Sequence, residues 1–188
     1  VTASRIADVM AEGRSGKPSA SRARYMGEKI AERLTGQQAE AFTNSAMKWG
    51  TEIEPQARTA YEFMHDVEVV QVGFIVHPTI IDSGASPDGL VGDDGMVEIK
   101  CPDTHTHIET MLSGKVDGKY IKQMQWQMEC VDRAWCDFVS FDPRLPARQQ
   151  MFVQRIERDK DMGSDMRKAV IAFLSEMRRK IEQLEQVA

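Results

Sequence analysis

No stretch of about 18 apolar residues occurs in this chain, which argues against a membrane-spanning helix. Nor is there the short apolar segment behind a basic front that marks a secretory leader, so the expectation is a protein neither embedded in a membrane nor visibly secreted. Cysteine is scarce: Cys101, Cys130 and Cys136 are odd in number and set in apolar runs. Three thiols fall short of the four that an iron–sulfur cluster wants and make a poor disulfide framework, so reduced core thiols of a cytosolic protein are expected. Excess positive charge is missing too, because 24 Lys and Arg face 29 Asp and Glu for a net charge of −5. A nucleic-acid partner would therefore have to be held by a local patch. Internal repeats, low-complexity tracts and linkers are also lacking. The 188 residues, 41% of them hydrophobic, are expected to form a single domain over 1–188 with a real core. The chain opens on Val1 and not on Met, from which a natural start further upstream is expected.

What is present begins with a basic N-terminal third. Arg5, Arg14, Lys17, Arg22, Arg24, Lys29 and Arg33 stand against Asp8, Glu12, Glu28 and Glu32. The stretch from Arg14 through Arg22 to Arg24 is the best candidate for DNA contact, weighed equally against a solvated basic loop. The spacing of Tyr25, Ile30 and Leu34 predicts a helix over 19–36 that stops at Gly36. A second helix over 44–64 starts on an Asn44 cap, and Pro55 is expected to begin a fresh helical segment within it. From residue 68 the period becomes that of strands: 68–78, 79–86 and 95–102, with the Gly-Asp-Asp-Gly turn at 92–95 predicting a hairpin between the last two. Helices near 105–113 and 118–131 follow, then strands over 135–141 and 149–157. The last element is a helix from about 160, whose stripe is Met162, Met166, Val170, Phe173, Met177, Ile181 and Leu184. This order predicts an α/β fold, a central mixed β-sheet flanked by helices.

The chemistry concentrates in "ASPDGLVGDDGMVEIKCP", residues 85–102. Alternation along a strand sends Glu98 and Lys100 to one face and Ile99 to the other. Asp88 is on the opposite arm of the hairpin, where strand pairing can set its carboxylate beside that of Glu98. Two such groups repel, and a divalent cation compensates them; an all-oxygen donor set selects Mg²⁺ or Mn²⁺. Lys100 beside that cation could orient an attacking water or stabilise charge on a phosphate, the requirements of phosphodiester hydrolysis.

The order Pro-Asp, spacer, Glu-x-Lys resembles the PD-(D/E)XK nuclease core. The fuller "SPDGL…MVEIKCP" resembles the phage-type alkaline exonucleases of the lambda exonuclease and YqaJ viral recombinase family. "WGTEIEPQARTAYE" (49–62), "YIKQMQWQM" (120–128) and "VTAS" (1–4) match further motifs of that family in order, so the likeness spans nearly the whole chain. It implies that Asp88, Glu98 and the backbone carbonyl of Ile99 hold the metal, with two metals per site plausible, and that Lys100 is the catalytic lysine. By the same resemblance Glu54 lies close to the metals, the other reading being an i, i+4 surface pair with Arg58. Tyr120 and Gln123 would border the active site; Gln125 also matches but points elsewhere on its helix, and a polar face opposite Met124 and Met128 is the alternative for this glutamine cluster. Ser4 and Ser86 match hydroxyls that help bind the 5′-phosphate of a DNA end, although a serine beside Pro87 also suits a turn. The family pattern places an arginine before Thr-Ala-Ser, upstream of residue 1, and Arg5 does not take its place.

The resemblance further implies a Mg²⁺-dependent 5′-to-3′ exonuclease on double-stranded DNA ends, preferably 5′-phosphorylated. It would leave 3′ single-stranded tails for a single-strand annealing protein, work as a ring-shaped homotrimer, and act in the cytoplasm of a bacterial host as a phage or prophage protein. Assembly would also help explain the apolar C-terminal helix. The alternatives are an endonuclease or repair nuclease without end polarity, and a DNA-binding recombination scaffold without catalysis. His105 and His107 are read as exposed polar residues of an irregular turn. Asp93 and Asp94 are turn residues, and Trp49, Trp126 and Trp135 are core aromatics. His65 and His77 carry no assignment.

Overall fold

A computed structural model of the protein describes residues 1–13, 18–38 and 45–187. A 3-10 turn over Ala3–Arg5 leads into a short helix, α1 (Ile6–Val9), and two longer ones, α2 (Ala20–Thr35) and α3 (Ser45–His65). α2 stops at Gly36 as its sequence predicts, and it is capped at its start as well. The Ser19 hydroxyl accepts the Arg22 amide at 3.1 Å, and Gly36 takes a left-handed φ of 68°. The proposed Asn44 cap, like Arg14 and Lys17, lies outside the described residues. Pro55 starts no new helix but sits inside α3. Its ring leaves the Thr51 carbonyl without a helical donor, and because both residues are exposed, water can serve that carbonyl at little cost.

The strand block is more broken than its hydrophobicity predicts. The run over 68–78 yields two short strands, β1 (Val69–Val70) and β2 (Ile75–Val76), and the run over 79–86 yields only β3 (Gly84–Ala85). Pro78 offers no ladder donor and Asp82 sits at a φ of 69°, so the chain between them turns instead of extending. The hairpin therefore forms between β4 (Gly89–Val91) and β5 (Gly95–Lys100), with Asp93 and Asp94 exposed in its turn. α4 (Thr104–Ser113), α5 (Gly118–Val131), β6 (Trp135–Phe141), β7 (Met151–Glu157) and α6 (Lys160–Glu185) complete the chain. The main sheet runs β1-β4-β5-β6-β7 and is antiparallel except for the parallel β5–β6 pair; β2 and β3 form a separate ribbon. A mixed sheet flanked by helices is the predicted fold class, and α4 and α5 supply the crossover that a parallel pair needs.

The pleat sorts side chains to two faces. Val97 and Ile99 join Ala57 and Tyr61 of α3 on one, while Met96 joins Met124 and Met128 of α5 on the other. Glu98 and Lys100 share the face of Met96, so they look toward α5. The far side of α5 buries Trp126 and Cys130 against α1, α2 and α6. Most of the α6 stripe is consumed there: Met166, Val170, Phe173 and Met177 are buried, and the Phe173 ring stacks on Tyr25 with centroids 5.4 Å apart. Packing within one chain thus covers most of this stripe, while Leu184 at its far end stays exposed. Each such side chain contributes about 1.5–3 kcal/mol on burial.

One histidine is placed otherwise than its sequence setting indicates. His107 is fully buried on α4, its Nδ1 2.7 Å from Ser140 Oγ and its Nε2 2.9 Å from the Gln149 carbonyl. Asp103 caps the helix by accepting the Thr106 amide, which starts α4 early enough to turn His107 inward and leave His105 exposed. Among the tryptophans, Trp126 is core, whereas Trp49 and Trp135 are half-buried beneath the guanidinium groups of Arg144 (4.3 Å) and Arg155 (3.5 Å).

Candidate active site

The β4–β5 register pairs Gly89 with Val97, so Asp88 falls opposite Glu98, one step beyond the end of β4. There its Oδ2 accepts the Ile99 amide at 2.7 Å. The carbonyl of a strand residue leaves from the same edge as its amide, so the Ile99 carbonyl also faces the gap past β4 where Asp88 sits. Glu98 is completely buried and is held by three donors. Gln123 Nε2 reaches Oε1 at 2.6 Å, the Lys100 ammonium forms an ion pair with the same oxygen, and Gln127 Nε2 reaches Oε2 at 2.7 Å. Tyr120 lies one turn before Gln123, with its ring stacked on Phe138 and its centroid 5.2 Å from Lys100 Nζ.

The electrostatics follow from this crowding. Burial and then the neighbouring Glu98 push the Asp88 carboxyl up to about 7, against the opposing pull of Lys100 and the Ile99 amide, with Glu54 adding to the rise. Burial works against the Lys100 charge, but Glu98 and Asp88 outweigh it and hold the ammonium above its ordinary range. Glu54, on α3, is within electrostatic reach of Asp88 and is paired with Arg58 at 2.5 Å. That pair is not a surface one, since Arg58 is buried. Three carboxylates thus share the site with two cations.

These groups fit a hard divalent cation. Among the described residues, two donors occupy both lone pairs of Glu98 Oε1, whereas Oε2 receives only Gln127 and keeps one open, and Asp88 Oδ1 accepts no hydrogen bond. One oxygen from each acid, with the Ile99 carbonyl, makes an all-oxygen set suited to Mg²⁺ or Mn²⁺. Among the described residues no three His, Cys, Asp or Glu side chains are gathered tightly enough to cage an ion alone. Two acids and a carbonyl suit a cation that keeps several waters.

Residues 1–134 match the model of the YqaJ-like viral recombinase domain. The chain belongs to this family. An alkaline exonuclease from Laribacter hongkongensis superposes with a TM-score of 0.92 at 53% identity, over 99% of this chain and 91% of that one. The same enzyme in complex with dAMP matches equally well. A phage-related exonuclease from Haemophilus somnus 129PT, 18% identical over 98% of this chain and 96% of its own, shares the fold with a TM-score of 0.78. No curated protein sequence matches.

Within this YqaJ-like fold, Glu54, Asp88, Glu98, Ile99, Lys100, Tyr120 and Gln123 gather at one end of the β4–β5 hairpin. The segments that carry Ser4 and Ser86 meet where Thr2 bridges Gly84 in parallel, and both serines are exposed. The basic stretch fares differently. Arg22 is clamped to Glu176 of α6 at 2.8 Å, and Arg24 pairs with Glu28 at 3.1 Å while staying largely exposed. Gln125 is tied away from the site, donating to the Glu157 carbonyl and accepting the Asp159 amide, both at 2.8 Å. Gln127 was not singled out by sequence, although its i, i+4 relation to Gln123 was the available signal.

Proposed function

We propose that the protein is a divalent-metal-dependent exonuclease that hydrolyses one strand of duplex DNA from its 5′ end. The observation that carries this reading is the pairing of Asp88 and Glu98 beside Lys100, an acid pair short of positive charge next to a fixed cation. Asp88, Glu98 and the Ile99 carbonyl would hold Mg²⁺ or Mn²⁺. The bound cation would supply a Lewis acid and a water made more acidic at neutral pH. A divalent charge brings the site to a net +1, which a phosphodiester then neutralises. Lys100 remains protonated, so it acts as a donor that orients the water or stabilises charge on the phosphate and not as a base. Ser4 and Ser86 would meet a 5′-phosphate. The related enzyme crystallised with dAMP, a mononucleotide of the kind stepwise hydrolysis releases, which supports attack at an end. Family membership supports the wider reading: 3′ tails handed to a single-strand annealing protein by a ring-shaped homotrimer.

The test uses linear duplex with a 5′-phosphate, the same duplex without it, and a closed circle, each with Mg²⁺ or EDTA. Degradation of the phosphorylated linear form alone, abolished by EDTA, is expected; cutting of the circle would replace exonuclease by endonuclease. Lys100→Ala should lower the rate about a hundredfold to a thousandfold while leaving the fold intact. A near-parental rate would place the chemistry elsewhere.

A further inference from the structure

Gln127 lies in the stretch 120–128 that resembles the family but is given no role by that resemblance, yet its side chain is fully buried against the site. Its Nε2 donates to Glu98 Oε2 at 2.7 Å and stands 3.5 Å from the Ser86 carbonyl. Its Oε1 is buried with no hydrogen-bond partner among the described residues. The amide cannot be turned over to satisfy that oxygen, because the turn would press a carbonyl onto a carboxylate. A glutamine kept only for packing would be replaced without penalty by an apolar side chain of similar size, since a buried acceptor without a partner is costly. The cost is confined to one atom, and the other end of the same amide touches the single oxygen of Glu98 that has a lone pair left for a cation.

We propose that Gln127 is a positioning residue: it fixes the rotation of the Glu98 carboxylate so that the open lone pair of Oε2 points at the cation, and it spans Glu98 and the Ser86 backbone. The inference rests on the metal-dependent reading of the site. Gln123 and Lys100 both act on Oε1 and leave rotation about the carboxylate axis to be set by the far oxygen. Gln127 sets it. Through Ser86 the same side chain ties the metal-holding acid to the segment that would meet the DNA end, so a displaced Glu98 and a displaced Ser86 are linked errors. The unpartnered Oε1 is an acceptor available to a water carried by the cation.

The test compares Gln127→Met, an isosteric change that removes the amide, with Gln125→Met, which breaks the links to Glu157 and Asp159 on the other side of the same helix. The readouts are Mn²⁺ affinity by titration calorimetry without DNA, melting temperature, and hydrolysis of 5′-phosphorylated duplex. Gln127→Met should bind Mn²⁺ roughly tenfold to a hundredfold more weakly with a melting temperature close to parental. Gln125→Met should show the reverse, a lower melting temperature and unchanged Mn²⁺ affinity. Gln127→Met with parental Mn²⁺ affinity overturns the proposal whether or not its stability falls. If the parent binds Mn²⁺ and Gln127→Met weakens it but neither degrades DNA, the positioning role stands and the nuclease reading fails; a parent that binds no Mn²⁺ overturns both.

Discussion

Asp88 carries the most displaced proton equilibrium of the site, and its consequences can be worked out by sign. Its carboxyl titrates near 7 in the folded protein against an ordinary 3.8. Between those values the metal-free native state holds more protons than the unfolded chain, so stability falls as pH rises through that window and levels off above it. A cation must displace the same proton. Mn²⁺ affinity should therefore climb about tenfold per pH unit below 7 and become flat above, as followed by calorimetry across the window. Asp88→Asn should flatten the profile and weaken binding at every pH; a parental protein with no pH dependence would remove Asp88 from the ligand set. Activity should follow the same profile, rising up to about pH 7 and flat above it, without any titration of Lys100.

At the scale of elements the site depends on how the β4–β5 hairpin is locked to its neighbour. A Cβ on Gly95 would stand 2.1 Å from Cζ2 of Trp135, whose other face carries the Arg155 guanidinium. Gly95→Ala should cost about 1–3 kcal/mol in urea unfolding, and adding Trp135→Leu should recover most of it. No recovery would mean that the strand backbone, not the indole, makes the position strict. The longer helices were legible in sequence because period and end signals agreed over ten or more residues, as in the stretch that stops at Gly36, and β5, β6 and β7 from their alternation, whereas the four-residue α1 was not. The 68–86 stretch was not, because its apolar run is broken by backbone geometry at Asp82 that hydrophobicity does not encode. Likewise the hairpin acids could be read from alternation alone. The buried place of His107 and the part taken by Gln127 depend on which helix face meets the sheet, and that is decided by tertiary packing.

At the scale of the molecule, a net charge of −5 leaves DNA attraction to local geometry, and the structure divides the basic residues by task. Arg22 joins α2 to α6 through Glu176, so Arg22→Ala should lower stability by about 1 kcal/mol and leave the salt dependence of DNA binding as it was. Arg24, largely exposed, should behave oppositely: no change in melting temperature, and a salt slope smaller by about one if it meets a phosphate. Equal slopes in both variants would take this helix off the DNA path. The parallel pairing of β5 with β6 reaches further. Parallel neighbours cannot be joined by a tight turn, so residues 101–134 must be made and folded back before β6 can dock. A ribosome releases Asp88, Glu98 and Lys100 early and the glutamines that hold Glu98 late. In the nascent chain the Glu98 carboxylate therefore lacks its glutamine donors until residues 101–134 have been made and folded back.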